Sequence, residues 1–133
     1  MIEIPADIRD AMVEHAREGW PFEACGLIAG NDGRGERFYP MQNADRSELT
    51  YSLDPQEHLR VDTEIGDLGL SVVGIFHSHP KTEARPSPTD VARSGGYPEA
   101  HYILVSLADR DNPVVRAFTI IDDEIEEQEL RVV

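Results

Sequence analysis

The sequence predicts a mixed α+β fold, a mixed β-sheet with helices packed on it. Residues 6–18 and 55–68 carry apolar residues at helical spacing, and Ser87 marks a further helix start. Short β-rich runs lie between and after them, in the order αβββαβαβββ. One run, SVVGIFHSH at 71–79, is apolar on both faces, as a central strand is. Strands adjacent in sequence, combined with strands separated by helices, imply a sheet of mixed direction.

In ADIRDAMVEHARE, Ile8, Met12 and either His15 or Ala16 form one face of a helix over 6–18. Pro5 suits its start and Gly19 its stop. ACGLIAG (24–30) reads as a short buried strand ending at the turn Asn31-Asp32-Gly33. RFYPMQN (37–43) and LTYSL (49–53) read as strands, the first at an edge or broken at Pro40, which has no N–H to donate. Asp54 and Pro55 make a cap and first position for a helix over 55–68, with Leu59, Ile65 and Leu68 as its stripe. After the strand at 71–79, Ser87 caps a short helix over 88–94, and HYILVS (101–106) is another buried strand. VVRAFTII (114–121) and EIEEQELRV (124–132) read as a final hairpin around Asp122-Asp123.

The 133 residues are one domain's worth of chain, so a single domain over 1–133 is expected, and 40% apolar residues suffice for its core. A lone cysteine, Cys25, excludes an internal disulfide. No apolar run is long enough to span a membrane. MIEIPADIRD has neither the basic nor the apolar region of a secretory signal. A soluble cytoplasmic protein is therefore expected. The net charge of −14 disfavours nucleic acid, whose phosphates it repels. The basic residues are one lysine, Lys81, and eleven arginines. Abundant Asp and Glu with almost no Lys suits a protein working at high salt, where self-repulsion is screened. A GC-rich genome, in which Arg codons replace Lys codons, produces the same ratio.

The segment GIFHSHPKTEARPSPTD concentrates the chemistry. Side chains alternate across a strand, so His77 and His79 point to one face, together with Val73 and Ile75. Same-face neighbours lie roughly 6–7 Å apart at Cα, close enough for both rings to reach one ion. Pro80 ends the strand, and a helix starting at Ser87 brings Asp90 in as a third ligand. Two His and a carboxylate with one open position are a catalytic zinc set. His-x-His alone is a weak signal, and Ser-x-x-Asp is also a helix capping box. Joined at this spacing, the set points to a metal site.

These residues resemble the signature of the JAMM, or MPN-plus, metallohydrolases. His77-Ser78-His79-Pro80 followed by Ser87 and Asp90 matches His-x-His-x7-Ser-x2-Asp. Glu23-Ala24-Cys25-Gly26-Leu27 is similar to that family's opening strand, and the likeness covers the whole chain in element order. The resemblance implies an MPN/JAB domain, a mixed sheet sandwiched by helices and akin to cytidine deaminases. It implies Zn2+ held by His77, His79 and Asp90, with Glu23 as general base and Ser87 as a donor steadying the oxyanion. Zinc acidifies water toward neutral pH, Glu23 shuttles the proton to the leaving amine, and no covalent intermediate forms. Cys25, on the same face as Glu23 by parity, offers a rival nucleophilic mechanism. In apolar sequence it reads more simply as a small buried hydrophobe.

The remaining histidines have plainer readings: His15 and His58 as surface or boundary residues of helices, His101 as packing at a strand start. Trp20 and Phe22 flank Pro21 and pack the first helix on the sheet, or edge the cleft. Asp122 to Glu129 holds six acidic residues in eight positions, a solvated edge that resists strand pairing.

The resemblance also implies a partner, the tail of a ubiquitin-like or sulfur-carrier protein, cut after its C-terminal Gly-Gly. Such a thin tail can lie along a sheet edge. A chain this short has no room for the large insertions of eukaryotic deubiquitinases, which implies a prokaryotic enzyme. Pro21-Phe22-Glu23-Ala24-Cys25-Gly26 and Asn43-Ala44-Asp45-Arg46-Ser47 look most like hydrolases that release cysteine from a sulfur carrier. The alternative is a desampylase-like isopeptidase, which frees lysine by the same chemistry and fits a salt-adapted composition. A metal-free MPN scaffold is the remaining reading, but such proteins lack ligands that are all present here. Oligomeric state is not legible.

Overall fold

In chain order the elements are β1 (Ile2–Ile4), α1 (Ala6–Gly19), β2 (Cys25–Asn31), β3 (Arg34–Met41), α2 (Pro55–Asp67), β4 (Ser71–His79), α3 (Pro88–Ala92), β5 (His101–Ser106), β6 (Val114–Ile121), β7 (Glu124–Gln128) and β8 (Leu130–Val132). They come from a computed structural model that describes residues 1–133. The strands form one eight-stranded sheet in the order β7-β6-β5-β4-β2-β3-β1-β8. β4 pairs antiparallel with β2 and parallel with β5, so the sheet is mixed. No helix is long and apolar enough to cross a membrane.

Helices cover both faces. On one, α1 presents Ile8, Met12 and Ala16 to a cluster with Ile28, Phe76 and Ile103. On the other, α2 presents Val61 and Ile65 to a cluster with Leu27, Ile75, Leu104 and Phe118. Burying each large apolar side chain stabilises the fold by about 1.5–3 kcal/mol. Asp54 caps α2 by accepting from the N–H groups of Gln56 and Glu57, each at 3.0 Å. Asp32 and Gly33, then Asp122 and Asp123, all have positive φ. That is the geometry of tight two-residue hairpin turns.

The structure corrects several expectations. LTYSL does not form a strand; it makes one bridge, Asn43 to Leu53. Side chains take the place of a ladder there: the Thr50 and Ser52 hydroxyls donate to Asp45, and the Asn43 amide donates to the Thr50 carbonyl. The final hairpin is interrupted at Glu129. β7 pairs with β6, whereas β8 pairs in parallel with β1, a strand the sequence reading missed. One residue thus separates the two outermost strands, so the sheet curls until its edges meet at Glu129. In α2, Leu59 is 70% exposed and Leu68 46%, and Val61 with Ile65 forms the buried stripe instead. Pro5 precedes α1 as its N-cap. Pro40 is accommodated within β3 because β1 reaches only Arg34, leaving that stretch one neighbour, β2. Val73 packs on the α1 side, away from Ile75, because a bulge opposite Ile28 and Ala29 shifts the alternation.

The sheet register positions the chemistry. Cys25 pairs with His77, so the antiparallel count sets Glu23 opposite His79. The Ser78 N–H donates to the Ala24 carbonyl at 2.9 Å, and the Ala24 N–H donates to Ser78 Oγ at 2.8 Å. These bonds fix the start of β2 beside the end of β4. His101 pairs with Gly74 at the opposite end of β4, far from this point, and so serves packing.

Candidate metal centre

The end of β4 carries His77 and His79 on the α2 face, and both are buried. The chain turns at Pro80 and returns through 81–86. His79 Nδ1 lies 2.8 Å from the Glu83 carbonyl, and Ser106 Oγ donates to the Thr82 carbonyl. These contacts hold the return segment against β4 and β5. α3 then starts at Ser87 with both arms of a capping box: Ser87 Oγ accepts from the Asp90 N–H at 3.1 Å, and Asp90 Oδ2 accepts from the Ser87 N–H at 2.9 Å.

That capping oxygen also faces the imidazoles. Asp90 Oδ2 lies 3.0 Å from His77 Nε2 and 3.1 Å from His79 Nε2, and the two ring nitrogens are 3.2 Å apart. The Glu83 carbonyl takes the Nδ1 proton of neutral His79, leaving its Nε2 lone pair pointing inward. Three electron-rich atoms thus converge on one point, an arrangement that calls for a cation. A tetrahedral ion with bonds of about 2.0–2.1 Å spaces its ligands about 3.3–3.4 Å apart, close to the triangle observed. Glu23 completes the group, whose ligand atoms all lie within 4.8 Å of one another.

The electrostatics follow from burial and contact. Burial disfavours the Asp90 charge, but close contact with both imidazoles and the Ser87 N–H outweighs it and holds the carboxyl well below the usual carboxylate range. Burial depresses His77, which keeps it neutral, whereas at His79 the same effect is outweighed by Asp90 and the Glu83 carbonyl. Burial pushes Glu23 up to about 8, opposed by His79 and reinforced by Asp90. Its Oε1 is buried with no hydrogen-bond partner, so the carboxyl is available for chemistry.

All five expected site residues, Glu23, His77, His79, Ser87 and Asp90, meet at this end of the sheet. Two supports escaped the sequence reading. Tyr51 stacks on His77, with ring centroids 4.5 Å apart and planes at 22°. This contact steadies the ring whose Nδ1 is buried and unpartnered. Asn43 donates to the Glu23 carbonyl at 3.1 Å, and the Glu23 N–H donates to the Ser47 carbonyl at 2.8 Å. Tyr51 lies in the run that reads as a strand, and Asn43 and Ser47 lie just before it, where no local pattern marks a partner across the molecule. Trp20 packs on the α1 cluster with the Arg110 guanidinium 4.2 Å above its ring, while Phe22 is 46% exposed beside Glu23.

The profile for prokaryotic homologs of the JAB domain matches residues 5–121. The chain belongs to this family. Among JAB relatives, a CysO-cysteine peptidase of Mycobacterium tuberculosis is 44% identical over 135 residues, covering 100% of this chain and 92% of its own. A desampylase of Haloferax volcanii is 37% identical over 112 residues, covering 79% of this chain and 80% of its own. The solution structure of a protein from Desulfitobacterium hafniense matches with a TM-score of 0.90 and 38% identity, covering 100% of this chain and 93% of that one.

Proposed function

We propose that this JAB protein is a zinc-dependent peptidase or isopeptidase. It cuts the bond after the C-terminal Gly-Gly of a ubiquitin-like or sulfur-carrier protein. The observation that carries the reading is the convergence of His77 Nε2, His79 Nε2 and Asp90 Oδ2 beside an unpartnered Glu23 carboxyl. Relatives named as a CysO-cysteine peptidase and a desampylase support the substrate class.

In this reading His77, His79 and Asp90 hold the ion. Bound zinc supplies Lewis acidity, polarising the scissile carbonyl and acidifying water. Glu23 takes a proton from the attacking water and delivers it to the leaving nitrogen as the C–N bond breaks. Burial raises its proton affinity toward the range in which one carboxyl can do both near neutral pH. Ser87 Oγ accepts the α3 capping bond with its lone pair, so its O–H remains free to donate to the developing oxyanion. Asp90 is held by the helix start, which couples the fold of α3 to the metal site. The products are a Gly-Gly carboxylate and an amine.

The test is incubation of zinc-loaded protein with carrier–cysteine and carrier–lysine conjugates, read by intact mass. The reading expects carrier ending in Gly-Gly from at least one conjugate, and none once a chelator is added. Two intact conjugates, or cleavage indifferent to chelator, contradict it.

A further inference from the structure

A cleft with a volume of about 520 Å³ is lined by Phe22, Glu23, Met41, Asn43 and Arg46 among others. We propose that Arg46 binds the α-carboxylate of the leaving amine, so that the site selects a free α-amino acid over a lysine ε-amine. The proposal rests on the functional reading above and says which amine leaves.

A group that hands a proton to the leaving nitrogen must lie within hydrogen-bond reach of it. The cleft that Glu23 lines is thus placed to receive the leaving side of the bond. Arg46 is built into the frame that holds Glu23. The next residue, Ser47, accepts from the Glu23 N–H at 2.8 Å, and Asn43 Nδ2 donates to the Glu23 carbonyl at 3.1 Å. The Arg46 N–H donates to the Asn43 carbonyl at 3.2 Å, and Arg46 holds φ of 45°, a left-handed conformation. Such strain in a non-glycine residue persists where its surroundings impose it.

Arg46 is the one lysine or arginine in the lining, which also includes Glu23 and Glu57. It makes no ion pair, although the chain has 26 acidic residues to 12 basic ones. Its donors are thus free in a molecule whose overall charge repels anions. An α-amino acid joined through its nitrogen carries a carboxylate two bonds from the scissile N, matched to a guanidinium fork. A lysine joined through its ε-nitrogen places four methylenes there instead.

The test compares Gly-Gly-terminated carrier joined to cysteine, to cysteine carboxamide, and to the ε-amine of an internal lysine, each with zinc-loaded protein. Native protein is expected to favour the free acid over the carboxamide by about ten- to a hundredfold in kcat/KM. In Arg46→Gln that ratio is expected to fall to near one, and in Arg46→Lys to lie between. As a readout without turnover, S-methylcysteine is expected to shift the Arg46 guanidinium NMR signal, and its carboxamide is not. A native ratio near one, or a ratio unchanged in Arg46→Gln, overturns the role of Arg46 while cleavage itself upholds the functional reading. No cleavage of any of the three overturns both.

Discussion

Glu23 and Cys25 sit two residues apart at the start of β2, on the same face by parity, and their surroundings assign them opposite fates. Glu23 lies just before the strand, its Oε1 buried and unpartnered, and burial raises it to about 8. Cys25 lies inside the α2-side cluster, and burial pushes its thiol up to about 12. At a pH of about 8 only about one thiol in ten thousand is then ionised, and thiolate is the reactive form. Iodoacetamide at that pH is expected to leave the folded protein unmodified and its turnover intact, while a chelator abolishes turnover. Loss of activity on alkylation would revive a cysteine mechanism. His77, His79, Ser87 and Asp90 were legible as a set because their spacing is local and unusual. Glu23 was legible only through resemblance, being one of 26 acidic residues with no periodic signature. Tyr51 was not legible at all, since its stacking on His77 joins segments that only the folded sheet brings together.

α3 is five residues long, too short to persist without its cap. Ser87 starts the helix and, in the proposed mechanism, also donates to the oxyanion. Ser87→Ala is expected to lower stability by about 1 kcal/mol through the lost cap. Turnover should fall by about 10²–10³-fold, with zinc retained. Denaturant melts and steady-state rates on one preparation separate the roles: a stability loss with undiminished kcat would leave Ser87 a cap alone. Other elements show why sequence reading stopped where it did. β4 was legible because seven of its nine residues are buried and its apolar side chains occupy both faces, which leaves little choice. β1 and β8 are three residues each and pair the two ends of the chain, so no local pattern distinguishes them from loop. The bulge at Val73 is invisible to parity counting because it exists only in the pairing with β2.

Across the whole molecule, the net charge of −14 is carried largely by exposed residues, including the outer strand β7. Self-repulsion of this kind is screened by salt. The melting temperature is therefore expected to rise as KCl increases from about 0.1 M to molar levels, and a flat or falling curve would remove the salt-adapted reading of the composition. The pairing of β2 with β4 and the return through 81–86 bring the starts of β2 and α3 to the end of β4, so ligands and base from three segments meet. The central claim is a division of labour among them: His77, His79 and Asp90 hold the metal, and Glu23 moves the proton. Turnover of zinc-loaded Glu23→Gln on a carrier–Gly-Gly conjugate tests it most directly. The account predicts native zinc content and a rate lower by about 10²–10⁴-fold; a near-native rate in that variant would contradict it.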